Sequence, residues 1–490
     1  MAMIDYKIVK QRVQEGGLLV DIRSYHEYMV DIIPGAIHVS EFLINNDKYI
    51  QHKSIMIYCE NANRTGKAHS FFVDLFDDAN CLLGGIKEWR NNGQKTIVPP
   101  KLAHFDFDRI LFFNYAATTP VFSECVKEMQ KYMEIGTDFA NPASAHYPGR
   151  VAKNKINESE QVILKFINAT NGNIVWTSGA TESNNLAIKG YFESSQKAKK
   201  HIITTSIEHK AILDVCNYLS IKDDNISVSY LDVDNHGRID IKQLKELITD
   251  DTIMISVMAV NNEIGTANPI KEVGKIAKDN NIAFHVDAAQ GIGKVHIDVD
   301  EMNIDLLSMS AHKCYGPKGI GGLYVKNGIE LAEQIHGGRH QNGMRSGTLS
   351  TQQIAAFAKA IEILKDKTDM QQISSYRDTV LKSLSEIDNV TINTPLDQSY
   401  VGILNVTIEN VPGDILFTLM PDFALSMSSA CTSAADKPSH VLTQIGLTPI
   451  QAACTLRISF GCFSNQEDVD KLAKSLNTNI KLLKKINSLK

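Results

Sequence analysis

The sequence predicts an α/β protein with mostly parallel sheets, on three observations. Short apolar runs that read as buried strands recur along the chain. Each is followed by a turn residue and then by a stretch with helical periodicity, the pattern of strand–helix–strand units. The residues best suited to chemistry gather just past the ends of those runs, where open α/β sheets bind their ligands.

The polar stretch "NNGQKTIVPPKLAHFDFDRI", residues 91–110, contains Pro99-Pro100, which interrupts regular structure. It predicts a linker over 99–110 between a small domain, 1–98, and a large one, 111–490. In the small piece "GLLVDIR" and "SIMIYC" read as buried strands, and "RTGKAHSFFVDLF" follows with helical periodicity. In the large piece "NIVWT", "HIITTS", "TIMISVMAV", "IAFHVD" and "DLLSMS" read as strands. Thr181, His209, Asn262, Asp287 and Lys313 fall at or just past their ends.

Composition narrows the function classes. The 490 residues are 43% apolar and 22% charged, as in ordinary globular proteins. A formal charge of −6 gives no electrostatic reason to expect direct nucleic-acid binding. Lys481, Lys484, Lys485 and Lys490 recur at helical spacing and read as a solvated amphipathic face. The opening "MAMIDYKIVKQRVQEGG" lacks a signal-peptide core, and no apolar run reaches the length of a membrane span. These features predict a cytoplasmic protein, with no membrane partner and with reduced thiols. The eight cysteines include no C-x-x-C pair and no Cys/His cluster of zinc spacing, so no metal site is expected.

Four features of the large piece point to one cofactor. "TSGATESNNLAIKG" is a strand, a small-residue turn and a helix start, whose free N–H groups and dipole suit a phosphate. "FHVDAAQ" places Asp287 where a carboxylate could pair with a protonated pyridine nitrogen, and Gln290 where an amide could donate to a phenolic oxygen. "SIEHKA" places His209 where an imidazole could lie on an aromatic ring, and "SMSAHKCYGPKGIGGLYV" puts Lys313 at a bend. Phosphate site, pyridinium partner, stacking histidine and Schiff-base lysine are together what pyridoxal 5'-phosphate requires.

The motifs "LFFNYAATTPV", "NPASAH", "TSGATESNNLAIKG", "TSIEHKAIL", "VNNEIGT", "HVDAAQGIGK", "SAHKCYGPKGIGGLYV", "GMRSGT" and "SSACTSA…PSHVL" resemble, in order, those of cysteine desulfurases. The resemblance is to the branch of these class V aminotransferase relatives that serves iron–sulfur cluster assembly and tRNA thiolation. It implies the fold-type I transferase architecture, a homodimer, a large cofactor-binding part over 118–360 and a small α+β part over 361–490. It implies that Lys313 carries the cofactor and Asp287 holds its ring nitrogen. Gln290 and Asn262 would contact the ring oxygen, and His209 would stack on the ring and move protons. Ala180, Thr181, Ser310 and His312 would bind the phosphate, with Thr348 contributed by the partner subunit. Arg457, in "LRISFG", would grip the substrate carboxylate, with Asn262 beside it. In this family a loop cysteine takes the sulfur of L-cysteine as a persulfide and alanine leaves; Cys431 matches that position. Such a thiol argues against a transaminase, while a selenocysteine lyase-like activity of the same fold stays open. Among the departures from the family pattern, Asn114 replaces a frequent aspartate, at a position expected to touch none of these roles.

The small piece carries a second thiol. "YCENANRTGKA" puts Cys59 at a strand end, five residues before Arg64, in a loop whose N–H groups can form an anion nest. With "LLVDIRSYHEYMVDIIPGAIHV" and "CLLGGIKEW", it resembles a single-domain rhodanese, whose loop cysteine carries a persulfide. Asp31 and Ile32 replace the usual Gly-His, Ala62 stands where glycine is common, and Glu60 stands beside the nucleophile. An acid there should repel thiosulfate, so the expected donor is the neighbouring domain. The reading is a relay: sulfur from L-cysteine to Cys431, then to Cys59, then to acceptor proteins for cluster assembly or thiolation. Fusion favours such transfer by raising local concentration, to the order of millimolar for a short flexible linker. The alternative is a rhodanese-like domain that only docks acceptors.

Overall fold

A computed structural model describes residues 2–23, 25–49, 51–62, 65, 72–73, 75–76, 78–99, 110–135, 138–427 and 438–487. Cys431 and Arg64 lie outside the described residues, as do most of the expected helix over 64–76 and nearly all of the expected linker.

Five strands form the first sheet: β1 (Ala2–Ile4), β2 (Leu18–Asp21), β3 (Ala36–His38), β4 (Ile55–Tyr58) and β5 (Ala79–Leu82). Their order is β1-β5-β4-β2-β3 and every pairing is parallel. After the short strand β6 (Leu111–Phe112), a second sheet is built from seven strands. These are β7 (Asn173–Thr177), β8 (Lys200–Thr205), β9 (Ile226–Leu231), β10 (Thr252–Ser256), β11 (Ala283–Asp287), β12 (Leu306–Ser310) and β13 (Gly321–Val325). The order is β7-β13-β12-β11-β10-β8-β9, and only β13 runs antiparallel to its neighbours. Strands β10, β11, β12 and β13 are buried along their whole length, which suits their largely apolar, non-alternating sequences.

The third sheet is antiparallel, ordered β14 (Val390–Ile392), β15 (Ile403–Ile408), β18 (Thr455–Ser459) and β17 (Ser426–Met427). A further strand, β16 (Phe423–Ala424), pairs with β6. The closing helix Gln466–Asn487 buries Val469, Leu472, Leu476, Ile480 and Leu483, spaced three or four apart, and packs on the helix Met370–Leu384. Lys481 and Lys485 are exposed and Lys484 half-exposed on its outer face, as the spacing predicts, while Lys490 lies outside the described residues. The core beneath this sheet is continuous with the core of the first sheet, where the helix Val39–Ile44 meets the helix Gly413–Leu419. Among the described residues, no helix is long and apolar enough to cross a membrane.

Candidate active site and a second thiol site

The second sheet delivers its chemistry to one cavity of about 580 Å³. β12 runs into a tight turn, Ala311–Lys313, that aims Lys313 into the cavity. The Lys313 ammonium donates to the carbonyls of Ala116 and Ala117, each at 2.8 Å. β11 ends at Asp287, where Asn184 donates to Oδ2 at 2.7 Å and the Ala289 N–H to Oδ1 at 2.9 Å. Asp287 is buried, at 5% exposure.

The helix Ala180–Ser194 also starts at this cavity, with Ala180 and Thr181 lining the wall. First-turn N–H groups have no intrahelical acceptor, so they are free to bind an anion. The turn is pressed on β13: a Cβ at Gly321 would lie 2.5 Å from the Met309 carbonyl oxygen and 2.6 Å from the Gly179 Cα. Glycine is the residue that permits this approach. Ser310 and His312 complete the wall. Burial and the charges of Lys313, Lys318 and Lys294 push the His312 imidazole down to about 4, so it is neutral at pH 7. His312 Nδ1 sits 3.1 Å from the Thr118 hydroxyl.

His209 caps the helix Lys210–Lys222, its Nδ1 accepting from the Ala211 N–H at 3.1 Å while the ring lines the cavity. Gln290 donates through Nε2 to the Ala116 carbonyl at 2.7 Å, and its Oε1 accepts from Lys294. Arg457, on β18, is 1% exposed; its Nη1 donates to the Asn262 carbonyl at 2.8 Å and its Nη2 to Asn114 Oδ1 at 2.9 Å. Asn114 therefore touches a residue given a role, contrary to expectation. The partner is thus a neutral amide, where an aspartate would form an ion pair with the guanidinium. Glu263 lies nearby, accepting from the Ser439 hydroxyl at 2.6 Å. Burial pushes Glu263 up to about 7, and Glu208, beside His209, up to about 8.

All but one of the described residues expected to hold cofactor or substrate thus share this cavity. The exception is Thr348, which lines a separate hollow of about 440 Å³ with Asn141, Trp176 and Arg339. Asn184, Asn114, Lys294 and the two buried acids were not anticipated. Asn184 was findable, because it follows Ala180 by four residues and so lies on the same helix face. Of the remaining cysteines, Cys125, Cys216 and Cys314 are buried, with thiols pushed up to about 12, as packing residues should be. Cys454 is buried too, and Cys462 is half-buried against Thr368.

In the first sheet, Cys59 follows β4 and is fully buried. Its carbonyl accepts from the Ile86 N–H at 2.9 Å, and a Cβ on Gly85 would lie 2.2 Å from that oxygen. Ala62 has φ of +68°, a conformation that favours glycine. The departures at positions 31 and 60 prove to be one feature. Arg90 donates to Glu60 Oε1 at 2.7 Å and to Asp31 Oδ1 at 2.6 Å, and Arg23 reaches Glu60 Oε2 at 3.3 Å. Arg23 is in turn held by buried Asp21 at 2.7 Å. Glu60 is therefore not the unopposed acid the sequence suggested. The cluster still holds three carboxylates against two guanidiniums.

The cavity offers amides and hydroxyls for a phosphate, a buried carboxylate for a pyridinium, and an amine for an aldehyde. Its donor set fits pyridoxal phosphate. The aminotransferase class-V family matches residues 111–472, and the rhodanese-like domain family matches residues 5–92. The chain belongs to the class-V aminotransferases, with a rhodanese-like domain ahead of the matched region. The cysteine desulfurase IscS of Colwellia psychrerythraea is 45% identical over 365 residues, 74% of this chain and 90% of that protein. The IscS of Buchnera aphidicola is 42% identical over 384 residues, 77% of this chain and 95% of its own length. A solved NifS-like protein superposes with a TM-score of 0.70 at 33% identity, covering 76% of this chain and 99% of its own. A structure described as SspA in complex with cysteine gives 0.65 at 38% identity, covering 72% and 100%. Within the family this chain is a pyridoxal-phosphate-dependent cysteine desulfurase.

Proposed function

We propose that the desulfurase takes sulfur from L-cysteine onto Cys431 and hands it to Cys59 of the rhodanese-like domain. Bound pyridoxal phosphate supplies an electron sink that weakens the bonds around the substrate's α- and β-carbons. The chain's residues do the rest. Lys313 anchors the cofactor, Asp287 keeps its ring nitrogen protonated, and the turn at Ala180 and Thr181, with Ser310 and His312, receives its phosphate. Arg457 takes the substrate carboxylate beside Asn262, with the neutral amide of Asn114 as its neighbour. With Nδ1 occupied by the Ala211 N–H, His209 presents Nε2 toward the ring for proton transfer.

The observation that carries the role of Cys431 is where its segment is tied down. Met427 pairs with Leu456, next to Arg457; Ser439 donates to Glu263, next to Asn262; and the His440 Nε2 donates to the carbonyl of Glu208 at 2.9 Å, next to His209. Cys431 is four positions past Met427, a reach of at most about 14 Å. The transfer itself needs no added oxidant. A Cys59 thiolate attacks the terminal sulfur of the Cys431 persulfide, the S–S bond breaks, and the Cys431 thiolate leaves.

Thr348 is supplied in trans in a homodimer on this reading. Met133, Ile135, Phe139 and Tyr147 are 62%, 97%, 59% and 72% exposed and belong to the segment leading to the Thr348 hollow, an apolar face suited to a second copy. A monomeric mass in solution would contradict this.

The burial of Cys59 favours a second reading, in which the small domain docks acceptors and carries no sulfur. Cyanide as sulfur acceptor separates the two. With L-cysteine as donor, Cys59→Ser should keep alanine release and lose several-fold in thiocyanate formation. Unchanged thiocyanate would favour docking.

A further inference from the structure

Lys294 is a buried amine that the proposed reaction does not use. Its ammonium donates to Gln290 Oε1 and lies 5.6 Å from the centre of the Tyr400 ring. The charged and titratable groups that act on it are Lys313, Arg457 and the buried Cys314 thiol, so its close charged neighbours are cations. Burial and the Lys313 charge push Lys294 down to about 7, and no carboxylate pairs with it among the described residues. An unpaired buried ammonium costs several kcal/mol relative to an apolar side chain of the same shape. Packing alone would be served better by methionine.

What the ammonium supplies is direction. Protonated it is donor-only, and as the neutral amine it still offers N–H groups, so the Gln290 amide turns its oxygen toward it. The amide nitrogen then gives one hydrogen to the Ala116 carbonyl and keeps a second for the cavity that Gln290 lines. The reversed amide would set NH₂ against ammonium and oxygen against carbonyl, losing both hydrogen bonds. We propose that Lys294 is a positioning residue, which fixes the Gln290 amide with its NH₂ toward the phenolic oxygen of the cofactor. This rests on the reading that Gln290 meets that oxygen.

A donor at the phenolic oxygen favours its anionic form, so it lowers the pH at which the visible band of the bound cofactor changes. The test is a spectral pH titration of the holoenzyme as wild type, K294M, K294R, Q290A and K294M/Q290A. The midpoint should rise by about one pH unit in K294M and in Q290A. It should go no higher in the double variant than in Q290A, and in K294R, which keeps N–H donors toward Gln290 at every pH, it should go no higher than in wild type. An unmoved midpoint in K294M beside a shifted Q290A would overturn the proposal. So would a double variant in which the two shifts add, because Lys294 would then act by its charge alone. An unmoved midpoint in Q290A would instead remove the reading beneath it.

Discussion

Glu208 carries a consequence that can be measured without turnover. Its Oε1 accepts from the Met258 N–H at 2.8 Å and the Thr205 hydroxyl at 3.0 Å, while Oε2 has no partner among the described residues. Burial raises it from an ordinary 4.5 to about 8, so the folded protein holds a proton there that the unfolded chain has released. The stability this confers is fully present below pH 4.5 and is lost as pH rises through 8. Glu208→Gln removes the titration. From pH 5 to pH 8, wild type should lose stability relative to Glu208→Gln on the order of a few kcal/mol, read from urea midpoints at the two pH values. Parallel pH profiles would mean that Glu208 is ionised in the fold. Single residues were legible in the sequence where a motif pins them to a strand end, as with Lys313, Asp287 and His209. Asn114 was misjudged because its partner Arg457 is 343 positions away and arrives on another sheet. Glu60 was misjudged for the same reason on a smaller scale, since Arg90 comes from a later helix.

Among elements, the apolar runs predicted strands well wherever both faces are covered. β13 is different. The connection 311–320 is too short for the helical crossover that a parallel strand needs, so β13 must return antiparallel. That inference was available from the spacing and was not drawn. The antiparallel sheet β14-β15-β18-β17 was expected only as a small α+β part, on the family resemblance. The loop after β4 shows a local preference overruled by its surroundings. Ala62 keeps φ of +68° while the Thr65 hydroxyl donates to its carbonyl at 2.6 Å. Holding a non-glycine residue there costs about 1 kcal/mol or more. Ala62→Gly should therefore stabilise the chain by about 1 kcal/mol in urea denaturation. A loss of stability would show that the alanine methyl packs usefully.

At the scale of the molecule, the two domains share more than a tether. The helix Val39–Ile44 meets the helix Gly413–Leu419, and the cores behind them are continuous. A Cβ at Gly413 would lie 3.1 Å from the Met427 sulfur, so that helix also touches the residue from which the Cys431 segment departs. The rhodanese-like domain thus packs on a helix that also lies against Met427, the described residue before the Cys431 segment. A flexible linker alone gives proximity, whereas a packed contact can also give orientation. The most direct measurement is mass spectrometry of the cysteine peptides after incubation with L-cysteine and no reductant. Relay predicts an added sulfur on both Cys431 and Cys59, with Cys59 unmodified in Cys431→Ser. Sulfur on Cys431 alone, or on Cys59 without Cys431, would contradict it.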